Sequence, residues 1–350
     1  MAFPATSGHN NLPNGNFSPV IFSQKSQMAF RKSSVVEGIT NSSYFGEISS
    51  YGDSVRIVKE PDISIRSYTR GKQIVPQDLD DEDYTLIVDQ ANEFAFQIED
   101  IEAAHSHVDW MSMASDRAAY KLKDTYDSEV LGYMTGYEKN SSGVWVARTA
   151  ASGTAADSTA DADELKAGHK LYADDFGSGG ATDGIVMGVD GTYDATPLQI
   201  LNRMNRKLDQ LSVPKEGRWV VIDPVFKEFL MDENSKLVNA DYNVGEGEGL
   251  YNGKLTAAKI RGFRVYESNN LPFIGTGPGT VATTSSRDSS NLGFILAGHD
   301  AAVATASQIN KTETFRSQNT FADVVRGLQL YGRKILRPEA LIRAGYNVNK

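Results

Sequence analysis

The residues that could most readily do chemistry are two histidines and an aspartate that lie close together in the chain. His105, His107 and Asp109 alternate with other residues, a spacing also found among metal ligands. On a helix, residues three or four positions apart share a face, so only His105 and Asp109 would point the same way. Two protein ligands seldom hold a metal ion. We therefore expect no metal site at this position.

Two glycine-rich segments have the composition of ligand-binding loops but lack key residues. Residues 245–249 alternate glycine with Glu246 and Glu248. A phosphate-binding loop of this kind needs a lysine, which is missing, and the two carboxylates would repel phosphate. Residues 174–183 offer oxygen ligands for calcium, yet without the regular spacing and distal glutamate of a helix-loop-helix calcium site. The sequence therefore predicts no bound cofactor.

Recognisable catalytic motifs are missing from the sequence. It contains no nucleophile elbow, zinc-protease helix motif, nucleotide-phosphate loop or dinucleotide fingerprint. The chain has no cysteine, which excludes a cysteine nucleophile, a disulfide framework and a thiolate metal site. A pair of carboxylates drawn from distant positions, as in glycosidases, stays open. We predict no catalytic residue and a protein that is not an enzyme.

Composition and charge narrow the class of protein further. The 350 residues are 40% hydrophobic and 23% charged, the range of a folded protein, with a formal net charge of -10. A protein that grips DNA needs a basic face, so tight binding of nucleic acid is not expected. The polar N-terminus lacks the features of a secretory signal, and no apolar run is long enough to cross a membrane. These features fit assembly in the cytoplasm.

The elements that would position any functional surface begin with residues 54–76. Val55, Ile57, Ile63 and Ile65 alternate with polar residues, which is typical of two-faced strands, and residues 61–62 and 70–71 have turn composition. The pattern predicts a long β-hairpin that reaches roughly 40 Å at about 3.3 Å per residue. Because an isolated hairpin is only marginally stable in water, we expect it to rest on another surface.

Charge is divided sharply along this region. The hairpin is basic, and an acidic run follows it at once. One interpretation is two solvated charge clusters; the other is that the basic hairpin of one subunit docks on the acidic run of the next. The basic residues are Arg56, Lys59, Arg66, Arg70 and Lys72, and the acidic residues are Asp78, Asp80, Asp81, Glu82 and Asp83.

Helical patterns follow the hairpin. Residues 77–131 contain neither glycine nor proline, and apolar residues from Ala104 to Tyr126 recur at helical spacing. The pattern predicts a helix over residues 98–134, roughly 55 Å long at about 1.5 Å per residue. Residues 149–190, rich in Ala, Gly, Ser and Asp, are predicted to form an insertion or surface excursion. From residue 197 onward, helical and strand patterns mix: an amphipathic helix from residue 197, a buried strand at residues 218–223, a short helix begun by Pro224, and a strand at residues 324–336. The fold class predicted is α+β.

Two later stretches resemble a known family. Residues 260–272 (Ile-Arg-Gly-Phe-Arg-Val-Tyr-Glu-Ser-Asn-Asn-Leu-Pro) are similar to its axial-domain strand and turn. Residues 322–342 are similar to its C-terminal strand, which ends in an Arg-Pro turn. Together with the order of the preceding elements, they resemble the HK97-type fold of tailed-phage major capsid proteins.

The resemblance implies a division of the chain. The expected parts are an N-terminal arm (1–45), an extended loop (46–83), a peripheral domain with a spine helix (84–148), the insertion (149–190), a central axial domain (191–310), and a return strand of the peripheral domain with a C-terminal segment (311–350).

It also implies a function and partners. The expectation is a virion shell of hexamers and pentamers around double-stranded DNA, which is held without sequence-specific binding. The expected partners are further copies of the chain, a separate scaffolding protein, a portal and, on some shells, a decoration protein, with no membrane. Two alternatives stay open: an encapsulin-like nanocompartment shell, and a secreted carbohydrate-active enzyme or adhesin.

Overall fold

The structure is a computed structural model of the whole chain. It describes residues 34–43, 54–58, 63–71, 73, 76–78, 83–105, 110–148, 165, 167–177, 179, 183–188, 193–231, 250–251, 254–255, 259–275, 292–318 and 320–348.

The main core surrounds a mixed sheet. Among the described residues this sheet has seven strands: β6 (Lys170–Leu171), β7 (Ile185–Met187), β8 (Arg218–Ile222), β11 (Arg264–Glu267), β12 (Phe273–Ile274), β13 (Leu292–His299) and β16 (Leu341–Val348). The order is β11-β8-β13-β16-β6, with β12 beside β13 and β7 beside β16. The central strands are continuous apolar runs because they are covered on both faces.

Two capped helices pack against this sheet. α3 (Pro197–Gln210) begins at a capping box, in which the Thr196 side chain accepts from Gln199 N and the Gln199 side chain accepts from Thr196 N. α4 (Pro224–Leu230) begins where the Asp223 carboxylate accepts from Phe226 N at 2.9 Å. Each has proline in its first turn, as predicted for residue 224, where the missing N–H costs nothing.

Part of the expected insertion belongs to this core. β6 and β7 pair in parallel with β16, and Leu171, Ile185 and Met187 are fully buried. The prediction of a surface excursion over all of residues 149–190 is therefore wrong for these strands. The sequence did not reveal these strands, because each is only two or three residues long and lies in a stretch of polar composition.

A second sheet has three strands among the described residues. β3 (Gln90–Glu99), β14 (Val303–Arg316) and β15 (Ala322–Ile335) pair antiparallel in the order β14-β15-β3. The helix predicted over residues 98–134 is confirmed in its described part, except that residues 98 and 99 belong to β3. It consists of α1 (Asp100–His105) and α2 (Trp110–Thr135), and α2 is about 39 Å long at about 1.5 Å per residue.

Burial changes along α2. Met111, Ala118 and Leu122 in its first part are only half-buried, whereas Tyr126 and nearly every residue from 126 to 135 are buried. The Tyr126 ring meets the Tyr331 ring of β15 edge-on, with centroids 4.8 Å apart. The helix is therefore anchored in the core by its C-terminal part, and its first part is left for other contacts.

The remaining strands form short antiparallel pairs. β1 (Ser54–Val58) pairs with β2 (Asp83–Ile87), β4 (Tyr137–Lys139) with β5 (Trp145–Ala147), and β9 (Leu250–Tyr251) with β10 (Lys254–Leu255). The β1–β2 pair corrects the predicted hairpin, in which residues 63–65 formed the second strand. Residues 63–69 are exposed and are not strand, and the predicted turn at residues 61–62 lies outside the described residues.

Candidate assembly interface

The β1–β2 pair is the base of a longer structure, residues 54–87, which we call the ribbon. One face of the base packs on the body: Val55, Ile57 and Tyr84 contact a cluster that includes the buried Ala304, Ala306 and Leu336. The burial of β1 alternates accordingly, with residues 54, 56 and 58 exposed. The sequence predicts this alternation in β1. The strand that pairs with β1 is β2, however, and not a strand at residues 63–65.

A glycine allows the ribbon base to sit this close to the three-stranded sheet. A Cβ at Gly332 of β15 would collide with the backbone carbonyl of Ile87 at the end of β2. A backbone atom cannot turn aside as a flexible side chain can. Because position 332 has no side chain, the end of β2 lies directly against β15. This close approach determines where the ribbon leaves the body.

Beyond the base, a contact between described residues of the two arms is centred on the same turn as the base. Ser54 lies opposite Ile87, and farther out the Gln77 side chain accepts from both Ser64 N and Ser64 Oγ at 3.1 and 2.7 Å. Both pairs are centred on the turn at residues 70–71, where Gly71 has a φ of 88°. The predicted turn at Arg70–Gly71 is confirmed.

The outer part of the ribbon is exposed to solvent. Ile65 is 99% exposed, Ile63 65% and Tyr68 67%, and all the residues from 63 to 71 are exposed. Burying an isoleucine side chain is worth about 1.5–3 kcal/mol. Two adjacent isoleucines left in water by the isolated chain therefore indicate a surface that is covered in a larger assembly.

The predicted charged residues divide between the two arms of the ribbon. Arg56 lies 3.4 Å from Asp83 of the opposite strand, and the Arg56 side chain is largely exposed. Arg66 and Arg70 are exposed near the tip, and Asp78 is exposed on the return arm. The two described acidic residues, Asp78 and Asp83, thus lie on the return arm of the same ribbon. Outside the described residues lie Lys59, Lys72, Asp80, Asp81 and Glu82.

One face of the three-stranded sheet points away from α2. Asn92 and Tyr331 hydrogen-bond to Glu129 of α2, so residues of opposite parity on these strands lie on the other face, which we call the outer face. Two cross-strand rows cross it: Lys311, Leu328 and Glu93, and then Glu313, Arg326 and Ala95. A cavity of about 560 Å³ lies over these rows.

Charge is fixed on the rim of this cavity. Glu313 bonds Lys311 and lies 2.8 Å from the guanidinium of Arg326. The Lys311 hydrogen bond, followed by that of Arg326, lowers the pKa of Glu313 from 4.5 to about 2. The carboxylate of Glu313 therefore stays ionised, opposite Lys311 and Arg326, across the pH range in which proteins assemble. On β3, the outer face presents Glu93 and Glu99, and the strand carries no basic residue.

A second exposed apolar site lies where β14, β15 and α1 meet. Arg316 bonds both Asp100 and Asp323, and its hydrogen bond holds the pKa of Asp100 below the usual range. Beside this ionic cluster, Phe321 is 83% exposed, and its carbonyl accepts from Asp100 N at 3.0 Å. A phenylalanine so exposed at a chain reversal is again a surface suited to contact with another molecule.

A buried carboxylate that the sequence did not single out joins three segments. Asp127 of α2 is fully buried, and its Oδ1 accepts from Ser34 Oγ, Val35 N and Val36 N at 2.8–3.0 Å. Its Oδ2 accepts from Asn270 Nδ2 at 3.0 Å. Residues 34–36, within the expected N-terminal arm, are thereby held on the helix and on the turn after β11.

The similarity of this chain to known proteins is found among solved structures. A scan against family models and a search of curated proteins give no match. A solved structure from Mycobacterium phage Che8 matches with a TM-score of 0.67 and 22% identity over 94% of this chain and 97% of that chain. The capsid of Cyanophage P-SCSP1u has a TM-score of 0.63 and 19% identity, over 95% and 94% of the two chains. The capsid of Ralstonia phage GP4 has a TM-score of 0.63 and 13% identity, over 100% and 99%.

The chain has a phage capsid fold. The predicted α+β class and its capsid architecture are confirmed at the level of the fold. These three matches are phage structures, and they do not support the alternatives of a nanocompartment shell or a secreted enzyme or adhesin. In this capsid fold, the described part of the chain has no helix long and apolar enough to span a membrane.

The chemical motifs of the sequence do not form a site in the part of this capsid fold that the structure describes. No group of three metal-ligating side chains occurs among those residues. His107, Asp109, residues 245–249 and the side chain of His105 lie outside them. In the oxygen-rich segment at residues 174–183, Asp175 accepts from Tyr172 N and pairs with Lys207, each at 3.1 Å.

Proposed function

We propose that this chain is the major capsid protein of a tailed double-stranded-DNA phage, a non-enzymatic subunit that tiles with copies of itself. The observation that carries the proposal is a capsid fold matched almost end to end, over 94% of this chain and 97% of the Che8 chain. The exposed ribbon supports it, because a long arm with bare isoleucines gains stability only against a second molecule.

The finer features of the proposal concern the shell and its helpers. Copies form hexamers and pentamers of an icosahedral shell, with a separate scaffolding protein, a portal and an optional decoration protein, and the shell assembles in the host cytoplasm. The formal net charge of the chain, -10, suits a shell wall that encloses DNA without binding its phosphates tightly. The division into arm, extended loop, peripheral domain, insertion, axial domain and return segment belongs to the same proposal.

Electron microscopy of the purified protein tests the proposal. We expect closed shells of uniform diameter, and sedimentation should place most of the protein in particles. A stable compact monomer that turns over a substrate would contradict the proposal.

We also propose that the ribbon makes the contact between subunits through its basic residues. Arg56, Arg66 and Arg70 are exposed, and the acceptor indicated by the sequence is the acidic run at residues 78–83 of a neighbour. Arg66→Glu with Arg70→Glu should leave the subunit folded, within about 0.5 kcal/mol, because both positions are exposed. Shell yield should fall more than tenfold, since like charges at an interface cost several kcal/mol.

The same charge change on the body is the control for this variant. Lys215 and Arg337 are exposed and lie outside the ribbon, so Lys215→Glu with Arg337→Glu should assemble like the unaltered chain. Circular dichroism and microscopy of both variants give the comparison. Normal shells from the ribbon variant would remove the arginines from the interface.

A further inference from the structure

A polar stripe runs along the exposed side of α3. Gln199, Asn202, Arg203 and Arg206 share one face of the helix, since residues three or four positions apart on a helix are neighbours. The apolar residues between them are buried in the main core. The stripe therefore presents two positive charges and no negative charge, on a chain whose formal net charge is -10.

A cavity of about 320 Å³ lies over this stripe, and we call it the α3 cleft. Phe176 and Asp194 complete its lining. Phe176 is the last residue of a short 3-10 helix, Ala173–Phe176, and the guanidinium of Arg203 lies over its ring, 5.0 Å from the ring centroid. This cation–π contact holds one cationic group at the cleft before any ligand binds. Ligand pockets begin at about 300 Å³, so the cleft has room for a ligand the size of a few side chains.

The side chains that α3 contributes to the cleft offer donors that lack acceptors. The side chains of Asn202 and Arg206 make no hydrogen bond or ion pair with another described residue, and Arg203 makes only its cation–π contact. Gln199 Oε1 accepts from Thr196 N at 2.9 Å, which leaves the two N–H donors of the same amide. Because a guanidinium has five N–H donors and no acceptor, donors predominate in the lining.

Asp194 does not neutralise the two arginines. Its Oδ2 accepts from Val186 N at 2.8 Å, and within the described part of the chain it forms no ion pair with Arg203 or Arg206. Two arginines against this one aspartate leave the lining with a net charge of +1. The ligand that satisfies the cleft is therefore an anion with several acceptor oxygens.

The two arginines also limit the kind of anion. Positions 203 and 206 are three residues apart on the helix, so their Cβ atoms lie about 5–6 Å apart. Guanidinium groups bind carboxylate and phosphate alike, through two parallel N–H···O bonds. A nucleic-acid strand carries a negative charge at every phosphate, and Asp194 repels those that do not reach an arginine. A peptide can place its carboxylates on the arginines and a neutral residue at Asp194, so a protein ligand is favoured.

We propose that the α3 cleft binds an acidic segment of a partner protein. Two carboxylates of that segment, about 5–6 Å apart, pair with Arg203 and Arg206. The amides of Gln199 and Asn202 donate to backbone carbonyls of the same segment. This assignment goes beyond the proposed function, because no contact between copies of the chain enters it.

A fluorescently labelled hexaglutamate peptide is the probe for this site. Its fluorescence anisotropy is followed while the purified full chain is added at low salt, where exposed charges are little screened. We expect saturable binding. Arg203→Gln with Arg206→Gln should weaken it by about tenfold or more, because hydrogen bonds between charged groups are the strong ones.

Arg206→Gln alone separates loss of the site from loss of the fold. Arg206 is exposed, and this variant keeps the contact between Arg203 and Phe176. The affinity for hexaglutamate should fall by about threefold or more, since one of two charge-assisted pairs is lost. Circular dichroism and the melting temperature should be unchanged. Unaltered affinity in this folded variant would contradict the assignment.

Lys215→Gln with Arg337→Gln is the matched control. Both residues are exposed and neither lines the cleft, so the variant loses the same two charges elsewhere. Its affinity for hexaglutamate should stay within about twofold of that of the unaltered chain, because a rim charge far from the site contributes little. Equal weakening in the two double variants, or no saturable binding at all, would overturn the proposal.

A thymidine hexanucleotide and glutarate separate the acidic peptide from other anions. The hexanucleotide offers phosphates along a similar length, and glutarate offers two carboxylates without a peptide backbone. Each should bind more weakly than hexaglutamate by about tenfold or more, since neither satisfies both the arginines and the amides. If either binds as tightly as the peptide, and Arg203→Gln with Arg206→Gln abolishes that binding, the cleft belongs to nucleic acid or to a small dicarboxylate and the proposal is wrong.

Discussion

At the scale of single residues, Asp127 contributes most to holding the subunit together. Its carboxylate is buried and accepts from two backbone N–H groups, a serine and Asn270. A buried charge is tolerated only when its hydrogen bonds are satisfied, and here the donors come from segments far apart in sequence. The residue therefore couples the arm, the helix and the large sheet.

Removing this carboxylate should destabilise the subunit strongly. Asp127→Ala leaves Val35 N and Val36 N buried without an acceptor, and each unpaired group costs about 1–3 kcal/mol. We expect a loss of about 3 kcal/mol or more in the free energy of unfolding, measured by urea denaturation. Glu102→Ala, which removes an exposed carboxylate on the preceding helix α1, should change it by less than about 0.5 kcal/mol. Equal effects would show that the bonds of Asp127 are dispensable.

Glu313 gives a prediction in pH. Folding lowers its pKa from 4.5 to about 2, so its ion pairs add stability at neutral pH and lose it as the pH falls from 4.5 through 2. NMR titration of the assembly-defective Arg66→Glu, Arg70→Glu chain should show this low pKa. Lys311→Met should raise the pKa, because the Lys311 hydrogen bond is its largest cause, and Lys215→Met should not. An unchanged value in Lys311→Met would contradict the assignment.

The sequence could not identify Asp127. Locally it looks like Asp116 or Asp124, which lie on the same helix, and its partners are separated from it by about ninety to one hundred and forty positions. Glu313 was equally hidden, since its environment is made by cross-strand neighbours. Residue roles that depend on tertiary contacts leave no local pattern.

At the scale of elements, the ribbon depends on how its base is seated. The Ile87 backbone lies where a Cβ at position 332 would stand. Gly332→Ala should therefore lift the base of the ribbon and cost about 1–3 kcal/mol, as overpacking does. Shell yield should fall as well, because a small tilt at the base is magnified at the tip. Calorimetry and microscopy measure the two effects.

Gly168→Ala is the control for this change. A Cβ at Gly168 meets nothing within 4 Å, so this variant should melt and assemble like the unaltered chain. If Gly332→Ala also behaves normally, the close approach of ribbon and sheet does not determine assembly.

Elements were predictable where local pattern and final environment agree. The strand patterns at residues 218–223 and 324–336 and the helix from residue 197 are confirmed. Residues 219–222 are an apolar run that is buried throughout, and the helix buries the apolar residues that recur at its own period. β3 was missed although Asn92, Phe94, Phe96 and Ile98 alternate, since the lack of glycine and proline favoured a helix. The sequence did not predict β2 as the partner of β1. Which strands pair depends on where the chain turns between them, and the pattern within either strand does not show this.

At the scale of the whole molecule, assembly should itself stabilise the fold. Binding to neighbours favours the folded subunit by about 2.7 kcal/mol when the subunit concentration is one hundred times the dissociation constant. Shells should therefore melt several degrees above free subunits, with a concentration-dependent midpoint in calorimetry. The Arg66→Glu, Arg70→Glu chain should melt at one temperature at all concentrations. Identical melting of shells and subunits would mean that the contacts between copies add no stability.

The overall architecture was predictable from the order of weak signals. The sequence predicts an arm, an extended loop, a helix and a mixed body in that order, and solved phage structures match the fold over 94–95% of this chain. The placement of β16 was not predictable, because its partners β6, β7 and β13 all lie far from it in the sequence.

That last strand has a consequence for how the protein is made. Leu341–Val348 separates β13 from β6 and β7, which pair with it and with no other described strand. During synthesis, β6 and β7 leave the ribosome long before the strand that they pair with, so the sheet has an open edge until residues 341–348 have been made. A premature stop before residue 341 would leave β6 and β7 without their partner strand.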